Sequence, residues 1–153
     1  MVRTAGWDGA EWTEASVQAA GPVGAARTVQ VKLDDLPEDS WYCFFFENDQ
    51  GVRSVVGRFR TPPKTGLPTV VFGGISCTRQ RYQPFPALSR GAEERVDFVF
   101  LCGDQVYNDY KDTVEGKRGE WASNLGSKGY RDLLSSTAIV ATWDDHEIEN
   151  GWG

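Results

Sequence analysis

Apolar and polar residues alternate through Thr28-Val29-Gln30-Val31-Lys32-Leu33, the period of a strand with one buried face. Asp34-Asp35-Leu36-Pro37-Glu38-Asp39 then turns the chain. Trp41 to Phe46 is an aromatic run around Cys43, Asn48-Asp49-Gln50-Gly51 has turn chemistry, and Val52 to Arg60 reads as a further strand. These segments predict the closing hairpins of a partial antiparallel β-sandwich. Residues 1–27 are too rich in Ala and Gly for an assignment, with Trp7 and Trp12 available to pack on its face.

The pattern changes after Arg60 to Pro68, a stretch with three prolines and one glycine, which predicts a domain boundary. The expected division is a first domain over 1–62, a linker over 63–68 and a second domain over 69–153. In the second, Thr69 to Ser76 is a short buried strand, Phe85 to Arg95 suits a helix, and Val96 to Cys102 is another apolar strand. Glu120 to Leu125 and Tyr130 to Ser135 suit helical pieces before a third strand, Ala138 to Trp143. Crossovers of a dozen or more residues between such runs imply parallel pairing, hence an α/β half-domain.

Composition narrows the function. The 153 residues include 16 basic and 22 acidic ones, a net charge of −6, with both signs spread over both halves. No basic stripe exists to displace counterions, so a general nucleic-acid surface is disfavoured. An anionic ligand would then need another attractor, such as a bound metal. No apolar run approaches the roughly 18–20 residues of a membrane span, and the start MVRTAGWDGA has neither a signal core nor a twin-arginine pair. Three cysteines, Cys43, Cys77 and Cys102, without a CxxC, do not indicate a disulfide framework. The single histidine excludes a multi-histidine zinc cage within this chain.

In an open parallel sheet, ligands bind at the carboxyl ends of the strands. Here the first strand ends in Ser76-Cys77, the second in Gly103-Asp104-Gln105-Val106-Tyr107, and the third in Asp144-Asp145-His146-Glu147. Each signal has a plainer reading: a cysteine is usually a small buried hydrophobe, a Gly-Asp a turn or cap, a tyrosine a packing residue. Asp144 and Asp145 are harder to dismiss, because adjacent carboxylates after a buried strand repel unless a cation or hydrogen bonds compensate. Carboxylates and a phenolate suit an oxygen-seeking ion, and a thiolate suits a softer transition metal. One ion would take Cys77, Asp104 and Tyr107; a second would share Asp104 and add Asp145. Two such ions can clamp a phosphate and activate a hydroxide.

Phe72-Gly-Gly-Ile-Ser-Cys77-Thr-Arg-Gln, Gly103-Asp-Gln-Val-Tyr107, and the run from Tyr130 through Trp-Asp-Asp-His-Glu147 resemble the PhoD-like alkaline phosphatase D family of metallophosphoesterases. Leu36-Pro37, Trp41-Tyr42 and Val56 to Pro62 resemble the tail of the fibronectin-like domain preceding the catalytic domain there. The resemblance spans about residues 27–153. It implies a phosphomonoesterase or phosphodiesterase that acts on small phosphoesters with Fe3+ and Ca2+ in its site, through a metal-activated hydroxide. By motif, Cys77, Asp104 and Tyr107 match iron ligands, with Asp104 bridging. Asp145 stands where the wider pattern has a metal-binding asparagine, and Asp144 is a further candidate ligand. His146 matches the histidine that assists the leaving group, Glu147 the residue that orients it, and Arg79 and Arg81 follow the cysteine closely enough to contact phosphate. The resemblance also brings a secreted or periplasmic location into view. Family members continue well past the histidine motif, so the chain reads as an internal fragment, expected to have little activity alone.

Two other readings fit the residues. In one, Cys77 is the nucleophile of a thiol hydrolase, His146 its base and Asp145 or Glu147 the orienting acid. In the other, the first half is an adhesion module and the second a metal-stabilised scaffold without catalysis.

Overall fold

The computed structural model describes residues 2–7, 12–18, 22–23, 28–66 and 69–152, with side chains from Val29 onward. The packing of Trp7 and Trp12 lies outside the described side chains. The chain divides into two compact units, Met1–Thr69 and Val70–Gly153.

The first unit is built on an antiparallel sheet of β1 (Val2–Trp7), β2 (Trp12–Gln18), β5 (Trp41–Phe46) and β6 (Gly57–Arg60), in the order β2-β1-β5-β6. The short strands β3 (Pro22–Val23) and β4 (Thr28–Val29) pair separately. The alternating run at 28–33 was expected to be one strand, yet only Thr28 and Val29 enter a ladder. Alternation specifies a buried face and says nothing about a free partner edge. The neighbour of β5 is instead β1, from the stretch where composition gave no reading. Likewise only Gly57–Arg60 of the expected strand at 52–60 pairs with β5, while Val52, Val55 and Val56 stay exposed. The turn before it is held by Asn48 Oδ1, which accepts the N–H groups of Gln50 and Val52. Tyr42 and Phe59 face each other in the register and stack at 5.4 Å, burying Tyr42 almost completely.

The second unit has a parallel sheet in the order β7 (Phe72–Ile75), β8 (Phe98–Cys102), β9 (Ala138–Thr142). Val99 and Leu101 of β8 point to one face, where α1 (Pro86–Gly91) and α3 (Lys128–Leu134) supply Phe85, Leu88, Tyr130 and Leu133 to a common core. Each such side chain, buried fully, contributes about 1.5–3 kcal/mol by removal from water. On the other face, Phe72 stacks on Phe98 at 5.4 Å but remains largely exposed. α2 (Val114–Leu125) begins six residues before the expected helix at 120–125. Its first turns carry no apolar period; they are specified by a cap, Thr113 Oγ1 accepting the Gly116 N–H at 3.0 Å. No helix among the described residues is long and apolar enough to cross a membrane.

Parallel order puts the ends of β7, β8 and β9 on one edge. Beneath that edge lies a buried polar network. Thr78 Oγ1 and Tyr130 Oη are 2.5 Å apart, and Asn124 Nδ2 donates to Thr78 O at 2.9 Å and to the Gln105 carbonyl. Tyr130 and Asn124 are wholly buried, so these groups are paired where water cannot reach them. The network ties the segment after β7 to the segment after β8.

Candidate metal centre at the strand ends

The backbone turns sharply after β7 and after β8. Cys77 and Asp104 both adopt left-handed conformations, with φ of 59° and 57°, a region that costs a non-glycine residue of order 1–3 kcal/mol. Cross-bonds hold them there: Cys77 N donates to Gly103 O and Thr78 N to Asp104 O. Gly103 has φ 94°, and a Cβ at that position would lie 2.5 Å from Asp144 Cβ. Only glycine lets the ends of β8 and β9 approach so closely.

Asp104 is the centre of the arrangement. Its carboxyl group is buried, Oδ2 accepts Tyr107 Oη–H at 3.1 Å and lies 3.6 Å from Cys77 Sγ, and Oδ1 has no hydrogen-bond partner. A buried carboxylate oxygen left without a partner is costly and marks a place for a proton or a cation. Asp104, Asp145 and His146 each offer one ligand atom within 4.8 Å of the others. The donors therefore fit a cation: carboxylates from two strand ends, with a phenol and a thiol beside them. Partial burial, then hydrogen bonds to Cys77 and Asp104, push the Tyr107 phenol well above its ordinary pKa. A cation among the three groups would act in the opposite direction.

The structure thus brings Cys77, Asp104, Tyr107, Asp145 and His146 to one edge. Asp144 is not drawn in: it is exposed, and its Oδ1 accepts the Asp145 N–H at 3.0 Å. The Asp145 carboxyl group is held below its usual range, first by a hydrogen bond from the Gly151 N–H. Arg79 lies over the Tyr107 ring, its Cζ 5.3 Å from the ring centre. Arg81 turns away and stacks on Tyr82.

Glu147 departs from the expected arrangement. Its carboxylate was expected to orient His146; instead it accepts backbone N–H groups from Asp104 at 3.1 Å, Gln105 at 2.6 Å and Asp144 at 2.8 Å. This buried carboxylate fastens the β8 and β9 ends together, because the orphan N–H groups of two turning segments converge on it. The partner of His146 is Asp109, with Nδ1 at 2.7 and 2.8 Å from its two carboxylate oxygens. Burial alone would lower the His146 pKa, but the hydrogen bond and charge of Asp109, with Asp104 and Asp145, raise it above 6.5. Asp109 was not singled out from the sequence, where nothing links it to a residue 37 positions away. Gln80 was also missed: its amide bonds both backbone groups of Tyr107 and Glu120 Oε2.

The parallel α/β unit thus gathers carboxylate, phenol, thiol and imidazole groups at its strand ends. Residues 70–153 match the family described as PhoD-like phosphatase, and the chain belongs to that family. Alkaline phosphatase D of Bacillus subtilis (strain 168) is 27% identical over 147 residues, an alignment covering 83% of this chain and 25% of the relative. A solved structure, "Structure of PhoD", matches with a TM-score of 0.80 and 20% identity over 99% of this chain and 33% of that one, a likeness of fold. The chain thus spans a quarter to a third of the length of these relatives.

Proposed function

We propose that this chain carries part of the catalytic centre of a metal-dependent phosphoester hydrolase acting on small phosphomonoesters or phosphodiesters. The observation that carries the reading is the buried Asp104 carboxylate, with one oxygen unpartnered and the other shared between Tyr107 and Cys77. Cys77, Asp104 and Tyr107 would hold an Fe3+ ion; Asp104 and Asp145 would hold a second, Ca2+. Such ions supply Lewis acidity, which draws charge from a phosphoryl oxygen and acidifies water.

The chain's own groups do the rest. Arg79, beside Tyr107, offers donors to the phosphoryl oxygens and so orients the ester. His146 is held at Nδ1 by Asp109, and its doubly protonated form would give the second proton, on Nε2, to the departing ester oxygen, leaving the neutral ring. Glu147 keeps Asp104 and Asp144 in register through their N–H groups. The first unit is read as part of a fibronectin-like sandwich preceding the catalytic one, supported by its antiparallel sheet and separate β3–β4 ribbon. Two clustered ions of about four to six ligands each need on the order of eight or more donors. Cys77, Asp104, Tyr107 and Asp145 fall short of that, so residues 1–153 alone should turn over substrate slowly and the longer chain much faster.

The thiol-hydrolase reading loses ground because Cys77 Sγ pairs with Asp104 and Ser76, while His146 is engaged by Asp109. Hydrolysis of an aryl phosphate and an aryl phosphodiester, measured on residues 1–153 and on the longer chain, separates the two. Loss of turnover with a chelator and indifference to iodoacetamide is expected. The reverse pattern would replace the metal centre with a cysteine nucleophile.

A further inference from the structure

We infer that Gln80 is a positioning residue: its amide, braced by Glu120, clamps the main chain of Tyr107 and so holds the phenol on Asp104. The inference rests on the reading of Tyr107 as a metal ligand, and its first readout needs no metal.

Tyr107 lies between β8 and α2, outside any strand or helix that could take up its main-chain groups. Gln80 takes both. Tyr107 N donates to Gln80 Oε1 and Gln80 Nε2 donates to Tyr107 O, each at 3.4 Å. A primary amide carries a donor and an acceptor side by side, the pair that a neighbouring strand would otherwise present. Gln80 Nε2 also donates to Glu120 Oε2 at 3.1 Å, and Glu120 Oε1 meets Lys111 Nζ at 2.7 Å. These partners fix which way the amide points. The Tyr107 N–H can only donate and the Glu120 carboxylate can only accept, so one orientation of the amide satisfies both and the flipped one satisfies neither.

The clamp joins two donors of one site. Gln80 opens the single helical turn Gln80–Tyr82, three residues beyond Cys77, and Tyr107 lies three residues beyond Asp104. The thiol and the phenol therefore arrive from different strand ends, and Gln80 ties the main chain of the second to the segment of the first. A shift of the Tyr107 main chain would carry its Oη off Asp104 Oδ2, 3.1 Å away, and its ring off His146, where the two ring centres are 4.2 Å apart. Removing a group that supports a metal ligand from behind typically costs about 10–100-fold in metal affinity or activity.

Nuclear Overhauser contacts between the Tyr107 and His146 rings, measured on the metal-free 153-residue chain, report where the phenol sits. Those between Phe85 and Tyr130, whose rings meet edge to face at 5.6 Å, report the core of the same unit. In Gln80→Leu the first contact should fall severalfold and the second should stay. If Gln80→Leu loses both, the decision passes to Gln80→Glu, which sets a second carboxylate against Glu120 and should displace Tyr107. Adding Glu120→Gln, whose amide can donate to the new carboxylate, should then bring the ring contact back in part, a recovery that a general loss of stability would not show. An unchanged Tyr107–His146 contact in folded Gln80→Leu, or a displaced Tyr107 that the added Glu120→Gln does not recover, would overturn the inference. With iron added, Gln80→Leu should bind about 10–100-fold more weakly than wild type. Iron taken up equally by both chains, or by neither, would remove Tyr107 from the ligands and leave the clamp standing.

Discussion

Both units pair acidic side chains with cations at the surface, but among the described residues only the second also buries carboxylates. In the first, carboxylates meet cations at the surface: Lys32 with Asp34 at 2.8 Å, Arg53 with Glu47 at 2.7 Å, and Arg60 with Asp39. Such pairs trade one solvated arrangement for another and contribute about 0–1 kcal/mol. In the second, Asp104 and Glu147 are 7% and 5% exposed, and their partners are backbone N–H groups, a phenol and a thiol. Burying charge without a cationic side chain is expensive, so an acid kept there must be holding backbone, a ligand or both. Glu147 answers to the first description and Asp104 to the second.

The contrast breaks most visibly at Glu147. Glu147→Ala leaves the N–H groups of Asp104, Gln105 and Asp144 without their acceptor, and should cost about 3–5 kcal/mol in the urea unfolding of the second unit. Glu147→Gln, which keeps one acceptor oxygen, should cost less. Near-equal midpoints for wild type and alanine variant would show that the fastening is not made. Gly103→Ala comes next: a positive φ and a Cβ 2.5 Å from Asp144 should cost roughly 1–3 kcal/mol and separate the strand ends, read as lost metal binding.

A pH effect sharpens the comparison. Because Asp109 helps to raise the His146 pKa above 6.5, the extra stability is fully present below the unfolded-state value and is lost as pH rises through the folded-state value. Asp109→Asn should lower the His146 titration midpoint followed by proton NMR. The stability gap between wild type and variant should narrow from mildly acidic to alkaline pH. An unmoved midpoint would assign the raised pKa to the other carboxylates. The smallest effect is expected at Lys32→Ala in the first unit, within about 0–1 kcal/mol by the same unfolding measurement.

How much of this was legible in the sequence follows from the range of the interactions. The aromatic run Trp41–Phe46 is a strand over its full length, and the apolar runs ending near Cys102 and Thr142 pair in parallel. Periodicity and length act within one segment, so they were readable. The convergence of Cys77, Asp104 and Asp145 was also readable, since parallel strands deliver their ends to one edge whatever the details of the turns. The hydrogen bonds of Glu147 with Asp104 and of Asp109 with His146 were not, because they join residues 43 and 37 positions apart through turn geometry. For the same reason the Ala- and Gly-rich start gave no hint that β1 would enter the sheet beside β5.

The central claim is that Asp104 anchors a metal ion with Cys77 and Tyr107. Its most direct measurement is the visible spectrum of the chain loaded with ferrous iron under argon and then exposed to air. Phenolate and thiolate ligands on ferric iron produce charge-transfer bands, so the wild-type chain should colour. Tyr107→Phe and Cys77→Ser should each alter the band, and Asp104→Asn should abolish it. A colourless wild type, or an Asp104→Asn chain with an unchanged band, would contradict the account.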